Sequence, residues 1–365
     1  MKLYFIAGED SGDLHSKNLV RALKAQVPSL ETRGVGGDKM IDAGTELIAH
    51  IKDINFMGFW EVLKNLSTIR RLFKKVKADI RIWKPDAVVL VDYPGFNLRM
   101  LPFLKELGLP VYYYISPQLW AWKKGRKEII RQYVDRMFVI LPFEKDFYAK
   151  EGIEVDFVGH PLLDELTYKP VEKEESKTIA LLPGSRSQEI KRMLPVMLNM
   201  THHFPGYNFV VAGAPSKTEA FYKDMIGNKP VELRMNQTYK ILEEADYALV
   251  TSGTATLETA LHGVPQVVCY KGSFISYQIG KRLVQVKFIA LVNLILDRLA
   301  VKELIQNEFN VANLKKELEL LMDSSHRSRI LKDYDDLREK LGNEGASERC
   351  AKSLLGYLGD AVVQP

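Results

Sequence analysis

Leu3-Tyr4-Phe5-Ile6-Ala7, followed at once by Gly8-Glu9-Asp10-Ser11-Gly12-Asp13, opens the chain and sets its architecture. A short apolar run bounded by a glycine loop reads as a strand buried on both faces. The helical pattern that follows places Leu19, Leu23 and Val27 on one face. The same alternation returns downstream. Ala87 to Val91 and Val111 to Ile115 are further buried strands, each ending in a polar or glycine-bearing loop. Between the first two strands, Val62, Leu63, Leu66, Ile69, Phe73 and Val76 recur at three- and four-residue spacing, which predicts a helix from Phe59 to Ile80. Strand, loop and helix in repetition mean a parallel sheet covered on both faces.

From Tyr168 to Lys177 the composition turns polar and proline-bearing, as a domain linker would. A second alternating series then begins, with strands at Thr178 to Leu182, Asn208 to Ala212, Tyr247 to Val250 and Gln266 to Tyr270. At 365 residues and 41.6 kDa the chain is long enough for two domains. The expected boundaries are 1–168, 178–345 and a C-terminal helix over 346–365. Two such α/β domains point to a ligand cleft at the carboxyl ends of the strands. The terminal helix packs on the first domain or exchanges with a partner in a homodimer, and periodicity does not choose between these.

Hydrophobic content of 46% and charged content of 27% are those of a globular protein. The longest nearly apolar run, Phe288 to Leu296, is broken by Asn293 and covers about half of the ~20 residues a membrane span requires. The N-terminus turns acidic too early for a secretory signal. Cys269 and Cys350 stand in unrelated contexts and imply neither a disulfide framework nor zinc. A cytoplasmic location is the reading these features favour. Net charge is +5, and the basic residues cluster at Arg70, Arg71, Lys74, Lys75, Lys77, Arg81 and Lys84, then at Lys123, Lys124, Arg126, Lys127 and Arg131. Such clusters attract an anionic membrane face. No nucleic-acid-binding motif accompanies them, so nucleic acid is not an expected partner.

Four loops carry the candidate chemistry. Leu182-Pro183-Gly184-Ser185-Arg186 joins a strand to a helix, where exposed amides and a guanidinium fork suit phosphate. Ser252-Gly253-Thr254-Ala255 is a second amide-rich loop, and Glu258 lies one turn further on, placed for ribose hydroxyls. Capping roles for these serines and threonines are the competing reading. The loop containing Glu9, Ser11, Gly12 and Asp13 is too acidic for phosphate and suits sugar hydroxyls or an acceptor. Asp92 stands just beyond a buried strand, before Tyr93-Pro94-Gly95-Phe96-Asn97, where a carboxylate could serve as a base. Asp333-Tyr334-Asp335 sits in a charged helix and reads as a solvated face. His202 and His203 read as surface residues and His160 as part of a turn, so no metal site is expected. Trp120 and Trp122 serve equally well as core or as stacking groups for sugar or acyl chain.

Taken in order, Ala7 to Asp13, Met57-Gly58 with Glu61, Asp92 to Asn97, Ser116-Pro117 to Trp122, Leu141 to Lys145, Leu182 to Arg186, Ser252 to Glu258 and Asn293-Leu294 resemble the lipid-A-disaccharide synthase family over nearly the whole chain. The resemblance implies a glycosyltransferase-B fold of two Rossmann-like domains facing a cleft. It implies an inverting, metal-independent transfer from UDP-2,3-diacylglucosamine to 2,3-diacylglucosamine 1-phosphate (lipid X), with UDP as leaving group and no cofactor. It places the enzyme at the cytoplasmic face of the inner membrane. Carried onto this sequence, Asp92 and Arg186 are the catalytic residues. Gly184, Ser185, Arg186, Ser252, Gly253, Thr254, Ala255, Glu258 and Asn293 hold the UDP-sugar. Glu9, Ser11, Gly12, Asp13, Met57, Glu61 and Asn97 hold the acceptor. Tyr93-Pro94-Gly95 departs from an Ala-Pro-Asp form of its loop, which removes a second carboxylate. Within the resemblance, Phe56, Met57, Phe59, Trp60, Leu63 and Leu66 become a membrane-facing apolar patch, although packing against the sheet explains the later positions equally well. A UDP-N-acetylglucosamine 2-epimerase, the transferase of peptidoglycan lipid intermediates and a non-catalytic nucleotide-sugar binding protein are the rival readings.

Overall fold

The computed structural model describes residues 1–53, 66–120, 124–166, 176–272 and 287–363. The chain forms two units, Met1–Glu165 with Leu341–Pro365, and Leu166–Lys340. The second therefore ends five residues before the boundary at 345 that the sequence suggests. Met57, Glu61, the apolar patch from Phe56 to Leu63, Trp122, Lys123 and most of the Tyr168 to Lys177 linker lie outside the described residues.

The first unit is built on strands β1 (Lys2–Ala7), β2 (Glu31–Gly36), β3 (Glu46–His50), β4 (Ala87–Val91), β5 (Val111–Tyr114), β6 (Arg136–Val139) and β7 (Val155–Phe157). They form one parallel sheet in the order β3-β2-β1-β4-β5-β6-β7. Alternate residues of each strand feed opposite faces. Tyr4, Ile6, Val88 and Leu90 pack with Leu72, Val76 and Ile80 of the helix Leu66–Trp83, whose four-residue spacing makes one apolar stripe. Leu3, Phe5, Val89 and Val91 pack on the other face with Leu19, Val20 and Leu23 of the helix Asp10–Gln26. Cys350, Ala351 and Leu354 of the C-terminal helix Ala346–Val363 join that cluster, so this helix packs on the first unit of its own chain. Asp164 anchors its start by accepting from the amides of Gly345 (2.7 Å), Ala346 (3.0 Å) and Ser347 (2.9 Å), as a carboxylate at a helix N-terminus should.

The second unit repeats the plan with β8 (Thr178–Leu182), β9 (Asn208–Gly213), β10 (Val231–Met235), β11 (Tyr247–Thr251), β12 (Gln266–Tyr270) and β13 (Lys302–Ile305), again parallel, in the order β10-β9-β8-β11-β12-β13. In both sheets the order reverses at one place, between β1 and β4 and between β8 and β11. Loops leaving the carboxyl ends of such a pair run to opposite faces and open a crevice there, the usual ligand position in this class of sheet.

Two sequence readings need amendment. The acidic segment after β1 is not a loop beyond Glu9, because the helix begins at Asp10. Asp333 and Asp336 are paired with Arg298, and Tyr334 is buried, donating to the Val264 carbonyl. His160 does stand in a turn, its carbonyl accepting from the Leu163 amide, and it is 3% exposed; burial pushes its imidazole down to about 3, so it is neutral. Among the described residues no helix is long and apolar enough to cross a membrane.

Candidate functional site

In the first unit, Glu9 and Asp92 follow the ends of β1 and β4, where the strand order reverses, close enough for their charges to interact. Asp92 follows the last residue of β4 and takes φ of 44°, and Tyr93 takes 48°. Two consecutive non-glycine residues in the left-handed region cost about 1–3 kcal/mol each and persist only when the surroundings fix them. Here they are fixed. The Asp92 carbonyl accepts from Asn97 Nδ2 at 2.7 Å and from the Tyr113 hydroxyl at 2.6 Å. Pro94 then starts the next helix, Pro94–Glu106, at a position where its missing N–H costs nothing. The Tyr93 ring lies so close to Gly8 that a Cβ there would meet ring carbon at 2.2 Å. Only glycine fits beneath it. Burial, then the like charge of Glu9, pushes the Asp92 carboxyl up to about 7 despite the Tyr93 amide, which holds it down. That is the range of a general base working near neutrality.

The other sequence-derived acceptor residues divide. Ser11 is exposed. Gly12 is buried against Ala7. Asp13 is 3% exposed, and its carboxylate accepts from the amides of Gly37 (2.7 Å), Lys39 (3.1 Å) and Met40 (3.1 Å). It is the N-terminal anchor of the helix Asp38–Asp42, for which Gly37 supplies no capping side chain. Asn97 is fully buried and acts on the Asp92 backbone. Its amide nitrogen thereby braces the Asp92 turn.

Glu144 is an acid the sequence reading named only within a motif. It is 2% exposed, and burial raises its pKa although four donors hold it down. Ser116 Oγ (2.5 Å) and Trp120 Nε1 (3.2 Å) donate to one oxygen, the amides of Ile140 (3.2 Å) and Leu141 (2.9 Å) to the other. One side chain thus ties the loop after β5 to the loop after β6. The signal that would have found it is a glutamate three residues past the residue before a helix-starting proline, where its carboxylate can accept from that residue's amide, here Leu141; leucine has no side-chain acceptor to complete a capping box.

In the second unit, Gly184 and Thr251 leave the paired ends of β8 and β11, and a Cβ on Gly184 would lie 3.4 Å from Thr251 Cγ2. Gly184 takes φ of +100°, open to glycine but strained for other residues. Helices Ser187–Met197 and Thr254–Leu261 start from these loops, and neither has a side-chain cap. The Thr256 amide turns back to the Gly253 carbonyl at 3.1 Å, but the amides ahead of it at each start have no i−4 acceptor within the helix, and the dipoles add positive potential, so both ends suit an anion. Arg186 is 63% exposed and pairs with Glu189 at 3.1 Å. Ser252 is partly committed elsewhere, its hydroxyl donating to the Ile289 carbonyl. Glu258 is half-buried, and burial raises its carboxyl pKa while the Tyr239 hydroxyl, donating at 3.3 Å, holds it down. Asn293 is fully buried, and its side chain bonds Ala300 N, Val301 N, the Val301 carbonyl and Glu303. Those bonds use its amide in shaping the turn before β13.

A depression of about 560 Å³ lies at the amino ends of β8, β9 and β10, the opposite end of the sheet from these loops. Arg234 beside it is neutralised by Glu232 and Glu244, so it offers no charge to an anion. No three His, Cys, Asp or Glu side chains among the described residues gather as a metal site.

Comparison with known proteins accounts for this double arrangement. The family model described as lipid-A-disaccharide synthetase matches residues 3–355. The chain belongs to the lipid-A-disaccharide synthase family. It is 42% identical to the enzyme of Syntrophus aciditrophicus, with 97% of each chain covered. It is 37% identical to that of Geobacter metallireducens (98% and 97% covered) and 36% identical to that of Myxococcus xanthus (98% and 97%). It is accordingly a glycosyltransferase of lipid A biosynthesis. Among solved structures, the UDP-GlcNAc 2-epimerase from Neisseria meningitidis bound to UDP-GlcNAc matches with a TM-score of 0.68 at 14% identity, covering 98% of this chain and 100% of that one. The calicheamicin glycosyltransferase CalG4 matches at 0.62 and 17%, covering 100% and 99%. These likenesses establish the glycosyltransferase-B fold, and family membership decides against an epimerase.

Proposed function

We propose that the chain transfers 2,3-diacylglucosamine from UDP-2,3-diacylglucosamine to the 6-hydroxyl of 2,3-diacylglucosamine 1-phosphate, giving the β-1,6 disaccharide 1-phosphate and UDP with inversion and no metal. The observation that carries the proposal is Asp92, an acid raised to about 7 and held rigidly at the reversal point of its sheet. In the proposed step the Asp92 carboxylate takes the proton of the 6-hydroxyl as that oxygen attacks the anomeric carbon. The bond from that carbon to the UDP oxygen breaks on the opposite face. Arg186 and the two uncapped helix starts would stabilise charge growing on the departing diphosphate, a task a metal performs in other enzymes. UDP binding by the second unit is supported by the anion-ready loops and by the UDP-GlcNAc bound to the epimerase of like fold.

Association with an anionic membrane face belongs to the same proposal. Arg70, Arg71, Lys74, Lys75 and Arg81 are exposed along the helix Leu66–Trp83. Serine at Phe59 and Trp60 should weaken sedimentation with anionic vesicles, and unchanged sedimentation would remove the apolar patch from the account.

Product analysis tests the chemistry. The purified disaccharide should have the mass of the 1-phosphate species and an anomeric proton coupling of a β linkage. An α linkage would refute direct displacement.

A further inference from the structure

Glu258 is more elaborately held than a lone carboxylate near a nucleotide needs to be. It sits one turn into the helix Thr254–Leu261, and its Oε1 accepts from the hydroxyl of Tyr239 at 3.3 Å. Tyr239 comes from a different element, the helix Thr238–Glu244 that follows β10. The tyrosine ring is itself braced, tilted at 41° against the imidazole of His262 with centroids 5.2 Å apart. His262 is 2% exposed and bonded through Nδ1 to the Glu258 carbonyl at 2.8 Å. Tyr239 thus bridges the Glu258 carboxylate and the His262 ring, and its phenol restrains the rotation of the carboxylate.

We propose that Tyr239 is a positioning residue that orients the Glu258 carboxylate toward a vicinal ribose diol, so that this site selects ribonucleotides over deoxyribonucleotides. The inference rests on the reading of the second unit as a UDP-sugar site. Its physical basis is the geometry of a carboxylate. Two oxygens with about four lone-pair sites can accept one phenol proton and still take both hydroxyls of a diol, provided the carboxylate plane faces them. A glutamate free to rotate about its last torsion meets the diol only part of the time. A fixed one meets it always, and an analogue lacking one hydroxyl leaves a desolvated carboxylate oxygen unmet.

Tyr239→Phe keeps the ring and its contact with His262 while removing the one hydroxyl that matters. Binding of UDP and of 2′-deoxy-UDP is measured by calorimetry. The native protein should prefer UDP by ~10-fold or more, the scale of one well-made hydrogen bond to a charged group. Y239F should reduce that ratio to about 3 or below, by weakening UDP and leaving 2′-deoxy-UDP unchanged. Burial raises the Glu258 carboxyl and the phenol holds it down, so Y239F should also lose its remaining preference at a higher pH on acidification than the native protein does. A purely structural tyrosine would weaken both nucleotides alike and leave the pH dependence of the ratio in place. An unchanged ratio in Y239F, or no preference in the native protein, overturns the inference while leaving a UDP site intact. Absence of UDP binding to the native protein overturns the UDP-site reading itself.

Discussion

Asp13 separates a structural from a ligand-binding role most sharply. Its carboxylate holds three amides at the start of the helix Asp38–Asp42, and two of them, on Gly37 and Met40, are buried. Asp13→Ala leaves both without an acceptor, and a buried unsatisfied amide costs about 1–3 kcal/mol. The Lys39 amide is half-buried and can turn to water. With the loss of charge at an uncapped helix start, worth about 0.3–1 kcal/mol, the total comes to about 2–7 kcal/mol. Asp13→Asn keeps an oxygen for Gly37 and Met40 but sets an amide group against the Lys39 N–H, and should cost about 2 kcal/mol. A unit of this size shifts its midpoint by about 2–4 °C per kcal/mol, which predicts a loss of about 4–8 °C for Asn and about twice that for Ala. Thermal unfolding followed by circular dichroism, beside turnover measured well below the transition, tests both halves. D13N should melt early and retain most of its turnover. A variant that melts like the native protein yet loses turnover a hundredfold would refute the anchor and restore Asp13 to the acceptor.

Further outcomes follow from the same geometry. With Asp92 as base, kcat/KM should rise with pH through about 7, Asp92→Asn should lose about 10²–10⁴-fold, and Glu9→Gln, which removes a like charge, should move the rising limb to lower pH. Because the folded carboxyl is raised, its contribution favours folding below its unfolded value near 4 and is lost as pH rises toward 7, so D92N should melt higher than the native protein at pH 8 but not at pH 4. Arg186→Ala should raise the Michaelis constant for the UDP-sugar about 10–100-fold in steady-state assays, and Arg186→Lys should restore only part, since lysine lacks the guanidinium fork. Asn293→Ala should lower the stability of the second unit by about 2–4 kcal/mol in urea titrations, by stripping the buried groups of Ala300, Val301 and Glu303 of partners, while UDP affinity measured below the transition stays within a factor of three.

The central strands were plain in the sequence because burial on both faces forces continuous apolar runs, as in Ala87 to Val91 and Thr178 to Leu182. The strands it did not disclose stand toward the edges. β2 reads Glu-Thr-Arg-Gly-Val-Gly and β10 reads Val-Glu-Leu-Arg-Met, patterns that half-exposed positions permit and that periodicity does not separate from loops. The site was legible to the same degree. Asp92, Gly184 and Arg186 follow strand ends and Glu258 lies one turn into a helix, and a residue's place after an apolar run can be read directly. Asn97 and Asn293 could not be told from ligand-facing residues, because the groups they bond are brought close only by folding. Tyr239 escaped for the same reason, being 19 positions from the glutamate it holds.

The most direct test of the whole account is UDP release from UDP-2,3-diacylglucosamine in detergent and excess EDTA, with and without 2,3-diacylglucosamine 1-phosphate. Release that depends on the acceptor and is indifferent to EDTA is the predicted result. Release without acceptor, or its loss on chelation, would contradict the proposed transfer and the part assigned to Arg186 and the two helix starts.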